Sequence, residues 1–117
     1  LRIPLNGYTA VVDYVRASFL GGCVVLHCEA PNGTALPNGT AQPDVWRIYR
    51  NDEQNPAGEA GWAHASGYAG VPSGVVDVDQ PSICLYFAPC ADLTSLRIVP
   101  EGEAGFTLNL SGEKGTE

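Results

Sequence analysis

Lysine occurs once in this chain, at Lys114, and the basic side chains number 6 against 13 acidic ones. The formal net charge of −7 leaves no basic face for phosphate, which argues against nucleic acid and against docking on anionic lipid. No apolar run approaches the ~20 residues of a membrane-spanning helix, so no membrane insertion is expected. Helical period is missing as well, because no stretch longer than a turn repeats apolar residues at three- and four-residue spacing. Methionine is absent and the chain opens on Leu1, which predicts a processed or excised chain. The signatures of catalysis are also missing. There is no Gly-x-Ser-x-Gly elbow, phosphate loop, dinucleotide fingerprint or His-Glu-x-x-His. The expectation is a non-enzyme without cofactors.

What the chain does contain is punctuation: 14 glycines and 9 prolines in 117 residues, spread so that strands are short and turns frequent. With 44% hydrophobic residues it suits a single folded domain over 1–117. Residues 1–6 read as an N-terminal arm ending in the Asn6-Gly7 turn. Tyr8 to Leu20 alternates, with Val15, Ala17 and Phe19 on one face, and Gly21-Gly22 turns it into Cys23–Ala30. There Val24, Leu26, Cys28 and Ala30 share one face, and Cys23, Val25, His27 and Glu29 the other. Further strands are predicted at Val45–Tyr49 with Trp46 and Ile48 inward, and at Val75–Asp79 with Val76 and Val78 inward. Ile83, Leu85 and Phe87, then Leu96 and Ile98, then Phe106, Leu108 and Leu110 mark three more. Asp92–Ser95 suits one helical turn.

Two segments between these resist a strand reading. Residues 31–43 carry a tandem hexapeptide, Pro-Asn-Gly-Thr-Ala-Leu then Pro-Asn-Gly-Thr-Ala-Gln, an extended turn-rich surface loop. Residues 50–72 form a long Gly-rich loop, which in a compact domain is either functional or ordered by packing. Residues 112–117 read as a frayed tail. Seven or eight short strands at this spacing predict an all-β fold, an antiparallel β-sandwich or jelly roll.

The four cysteines allow three pairings. A local Cys23–Cys28 bridge fails on reach, since five residues of straight strand span roughly 16 Å. A local Cys84–Cys90 bridge requires a reversal at Ala88-Pro89. Two cross-strand sets fit better: Cys23–Cys90 with Cys28–Cys84 in antiparallel register, or Cys23–Cys84 with Cys28–Cys90 in parallel register. Each misses by one residue, which a bulge beside Pro89 absorbs. Closing a loop of about 60 residues this way stabilises by about 4 kcal/mol, and the antiparallel set is the favoured one. A zinc site using the cysteines with His27 has looser spacing than ligand knuckles. Four reduced thiols in a cytosolic protein are the remaining alternative.

Candidate binding residues are the aromatics around the long loop, Tyr49, Trp62 and Tyr68, together with His64. Exposed, they would form a sugar-stacking platform or a protein hot spot; buried, Trp46 plugs the core and Trp62 pins the loop. No spacing selects His64 for a triad with a serine and a carboxylate. Asp77 and Asp79, two apart on a strand, are the weak candidates for calcium; no other metal site is expected. Asn32, Asn38 and Asn109 head glycosylation sequons.

Paired cysteine strands, turn-rich loops and acidic balance suit a non-catalytic structural or adhesive module acting through surface contacts. A virion surface or decoration protein, a secreted adhesin domain and a filament subunit belong to this class, with an extracellular, cell-surface or virion-surface location. Its partner would be another protein or copies of itself. The alternative is a carbohydrate-binding module using the exposed aromatics, and behind it a protease inhibitor or small hydrolase.

Overall fold

The computed structural model describes residues 2–18, 21–37, 40, 42–63, 66–77, 79–88 and 92–110 of the chain. Its strands are β1 (Arg2–Pro4), β2 (Thr9–Ser18), β3 (Gly21–Glu29), β4 (Trp46–Arg50), β5 (Gly58–Ala60), β6 (Ile83–Phe87), β7 (Ser95–Pro100) and β8 (Phe106–Asn109). They form two antiparallel sheets of four, ordered β1-β2-β3-β6 and β5-β4-β7-β8. The expected all-β architecture is present, as a β-sandwich.

Period-two alternation decides the core. Val24, Leu26 and Cys28 of β3 and Ile83, Leu85 and Phe87 of β6 face Trp46 and Ile48 of β4 and Leu96 and Ile98 of β7. Ala10 of β2, Leu108 of β8 and Tyr8 complete this inter-sheet core. At about 25 cal/mol per Å² of apolar surface removed from water, such a layer is the main source of stability. A second, smaller cluster lies on the outer face of the first sheet. Cys23, Val25 and Cys84 are buried there, with Tyr14, Tyr68, Val71 and Val76 packed over them. The segment carrying Tyr68, Val71 and Val76 is thus a strap across the sheet, and eight of the nine residues of β3 are buried.

Several expectations change at the level of elements. The 1–6 arm contains β1, which pairs with Thr9–Val11 of β2. The 50–72 loop contains β5, too short to show a period, paired with Trp46–Ile48. The predicted strand at Val75–Asp79 is absent among its described residues; Val78 lies outside them. Val75 N–H donates to Pro72 O, and Gln80 N–H to Asp77 O. Gly74, with φ of 92°, sets the first of these turns, and Val76 packs on the outer cluster rather than between the sheets. The helical turn at Asp92–Ser95 is likewise replaced: the backbone N–H groups of Thr94 and Ser95 donate to Asn51 Oδ1 at 2.8 and 3.1 Å, and β7 begins at Ser95. Asn51 itself sits at φ 50°, a left-handed conformation that asparagine tolerates.

The two sheets also meet at one flank. Gly58 of β5 lies directly against the Tyr86 backbone of β6, where a Cβ would collide with the Tyr86 carbonyl oxygen. Glycine is therefore the residue that lets the flank close. In an ordinary strand, replacing glycine by alanine is favourable. Here Gly58→Ala is expected to destabilise by about 1–3 kcal/mol through overpacking. A urea midpoint equal to or above that of the unsubstituted protein would rule out this contact.

Candidate functional site

A pocket of about 360 Å³ opens at one end of the sandwich, where the 31–43 loop meets Trp62 and Asp79–Pro81. Local turns shape its loop wall. The Thr34 N–H and hydroxyl both donate to Asn32 Oδ1, at 3.1 and 2.7 Å. The Thr40 hydroxyl donates to Pro37 O at 2.7 Å. Glu29 at the end of β3 forms an isolated antiparallel bridge with Ala35, so the loop hangs from the core strand. Across the pocket Trp62 is fixed twice: its indole N–H donates to Pro43 O at 2.8 Å, and its ring meets Trp46 edge-on, 5.6 Å between centroids.

Leu36, Pro37, Trp62 and Pro81 give the pocket apolar walls, and Thr40, Gln42, Asp79 and Gln80 bring a hydroxyl, two amides and a carboxylate to them. That volume and mixture fall in the range of small-ligand sites. Cys28 also lines it, but burial pushes its pKa up to about 12, so it is a protonated thiol near neutrality and not a nucleophile.

Of the three predicted binding residues that are described, Trp62 lines this pocket. Tyr68 belongs to the strap, with its hydroxyl 3.0 Å from Ser82 Oγ. Tyr49 lies on the other sheet under the Arg97 guanidinium, 4.3 Å from its ring centre. His64 lies outside the described residues. The expected aromatic platform is therefore not assembled, because Tyr49 and Tyr68 are each occupied elsewhere. Asp77 and Asp79 are not a strand pair: Asp77 Oδ1 accepts from the Asp79 N–H at 2.9 Å within a turn, while Asp79 lines the pocket. Among the described residues, no three of His, Cys, Asp and Glu are grouped to hold a metal ion.

The sequons and cysteines are also dispersed. Asn32 and Asn109 are exposed, and Asn38 lies outside the described residues. The cysteine strands do pair antiparallel, but with Cys23 opposite Tyr86 and Val25 opposite Cys84. This places Cys28 in the inter-sheet core and Cys84 on the outer face, so the favoured Cys28–Cys84 bridge has no geometry, and Cys23, Cys28 and Cys84 are free thiols. Both pairings through Cys90 fall outside the described residues.

A charged cluster beside the pocket had no expression as a motif. A register shift between Val12 and Tyr14 makes Asp13 a bulged residue, and its Oδ2 lies 2.6 Å from His27 Nδ1. Glu29 Oε2 lies 2.8 Å from His27 Nε2, and Arg2 reaches Glu29 Oε1 at 2.5 Å. Ionised carboxylates only accept, and only the imidazolium has two N–H donors, so this geometry selects the charged ring. Both nitrogens are thus committed, and His27 is free to act neither as a base nor as a zinc ligand. The one sequence signal was the polar end of an otherwise apolar strand face.

The charged cluster carries a pH dependence. The hydrogen bond to Asp13 chiefly raises the His27 pKa above its ordinary 6.5, with burial opposing. The bonds from His27 and then Arg2 lower that of Glu29 below 4.5. A raised histidine stabilises below its unfolded pKa and loses that contribution as pH climbs through the folded value; a lowered carboxylate does so above its unfolded pKa and loses it on acidification. The cluster therefore contributes most between about pH 4.5 and 6.5. The urea midpoint is expected to fall from about pH 6 to about pH 9, and His27→Gln to flatten that slope. Parallel slopes for the two proteins would remove the cluster from the pH response.

Compared with protein-family models, curated proteins and solved structures, the chain matches none, and the function is argued from the site's own geometry.

Proposed function

We propose that this chain is a non-catalytic adhesive module on an extracellular, cell or virion surface, and that its contact site is the pocket at Trp62, which takes an uncharged saccharide. The observation that carries this reading is the pocket itself: Trp62 among apolar walls, with Thr40, Gln42, Asp79 and Gln80 also lining it. A sugar presents C–H faces that pack on an aromatic ring and hydroxyls that pair with amides and carboxylates. The protonated Cys28 and the committed His27 supply neither a thiolate nor an imidazole base to the site, which suits binding without turnover. The acidic balance disfavours anionic saccharides.

Titration against a panel of neutral and anionic oligosaccharides, followed by Trp fluorescence or calorimetry, tests the reading. A neutral sugar is expected to bind, with Trp62→Ala weakening it at least tenfold, or about 1.4 kcal/mol. Trp62→Phe keeps an aromatic face and is expected to lose less. Absence of binding across the panel, or equal affinity for Trp62→Ala folded by near-ultraviolet circular dichroism, would overturn it.

A second reading, assembly with its own copies, is supported by the edge of β2. β1 covers only Thr9–Val11, so no strand pairs with the rest of β2 on that side among the described residues, and Val15 is 38% exposed there. Unpaired edges are templates for strand addition. Sedimentation over a hundredfold concentration range is expected to reveal a dimer that Val15→Lys abolishes; a monomer throughout would eliminate this reading.

A further inference from the structure

We propose that Cys23 and Cys84 are a redox-active dithiol that closes to a disulfide beneath the strap formed by Tyr68–Val76. Residues directly opposed in an antiparallel ladder point to the same face. Cys23 faces Tyr86 and Cys84 faces Val25, which makes the two cysteines diagonal neighbours on the outer face of the first sheet. They are packed in one buried cluster with Val25. Cys28, on the other face of the same strand, has no cysteine partner among the described residues.

The strap seals this pair and is held by polar side chains of the sheet. The Tyr86 hydroxyl donates to Ala69 O at 2.9 Å, and Arg16 Nη1 donates to Gly70 O at 2.7 Å. Tyr68 reaches Ser82 at the start of β6. Burial keeps both thiols protonated, raising Cys84 to about 11, while the Arg16 charge acts in the opposite direction. Closure therefore needs the strap to lift, admitting an oxidant and water. Diagonal neighbours stand about 7–8 Å apart at Cα, slightly beyond the usual disulfide span of about 4.4–6.8 Å, so closure also draws β6 along β3. Tyr86, on the moving strand, is one of the residues that hold the strap. Oxidation and strap docking are coupled through it.

The balanced step is thiol–disulfide exchange with a small-molecule disulfide such as oxidised glutathione. One cysteine thiolate attacks it and releases a first glutathione thiol. The second cysteine then displaces the other glutathione, so that two protons leave the protein thiols and the electron pair passes to glutathione.

Cys90→Ser removes the fourth cysteine and leaves Cys28 as an internal control. Treated with oxidised glutathione near neutral pH, this variant is expected to become two hydrogens lighter, with fragmentation placing the bond between Cys23 and Cys84 and with Cys28 still alkylated after unfolding. Adding Tyr86→Phe is expected to speed closure at least threefold. Peptide mapping of the oxidised unsubstituted protein gives a second readout, with the same Cys23–Cys84 link expected. A bridge involving Cys28 or Cys90, a glutathione adduct that never resolves, or no reaction would overturn the dithiol; an unchanged rate in Tyr86→Phe would overturn its coupling to the strap.

Discussion

Burial of β3 on both faces is the constraint from which the rest of this structure follows. A strand with one wet face carries its register in its own alternation, because a slip of one residue exposes the core set. β3 has apolar residues on either face, Val24 and Leu26 inward and Cys23 and Val25 outward, so alternation alone leaves its register open. Its two ends supply what the middle lacks. At Gly22 an added Cβ would collide with the Arg16 carbonyl oxygen and come within 2.6 Å of the Phe87 ring, so only glycine lets both neighbours close in. At the other end His27 and Glu29 are tied to Asp13 and Arg2. One end is pinned by the absence of a side chain and the other by charge.

A strand buried on its outer face also needs a cover, and a loop brings backbone polar groups that must be satisfied. The strap meets this with sheet side chains rather than a ladder: Tyr86 and Arg16 donate to consecutive carbonyls, Ala69 and Gly70. These are few bonds, made by exposed or half-buried side chains, over a small apolar cluster. Such a segment opens at lower free energy than the inter-sheet core. The sandwich thus combines a rigid layer between its sheets with a weaker layer outside one of them.

This division explains what could be read from the residues alone. The inward positions Trp46, Ile48, Leu96 and Ile98 were legible because period two is local to each strand, and the pairing of the cysteine strands because their apolar density marks the centre of a sheet. Register was not legible: a Cys28–Cys84 bridge requires both side chains on one face, and Cys28 lies in the inter-sheet core while Cys84 lies on the outer face. Val75–Asp79 shows how period two misleads. Val76, Asp77, Val78 and Asp79 alternate, but the Asp77 side chain captures the Asp79 N–H, a local competitor that favours a turn. The pocket was half legible. Trp62 and Asp79 were singled out, for a stacking platform and a calcium pair that do not form, while Gln42 and Gln80 carried no signal because their convergence depends on the ends of distant strands.

The charged cluster and the pocket's loop wall meet at Glu29. Glu29 receives His27 and Arg2 through its side chain, and through its backbone it bridges to Ala35, from which Leu36 and Pro37 continue into the pocket wall. One residue earlier, Cys28 lines the same pocket from the inner face of β3. The Glu29–Ala35 bridge is joined there by the Ala30 N–H, which donates to Thr34 O at 2.9 Å, so the start of the loop wall is tied to the end of β3. Removing the imidazolium charge frees one carboxylate oxygen of Glu29 while Arg2 keeps the other, which loosens the side chain but leaves it tethered. The ionic cluster was selected by no motif, yet through Glu29 it is joined to the strand end from which the pocket's loop wall departs.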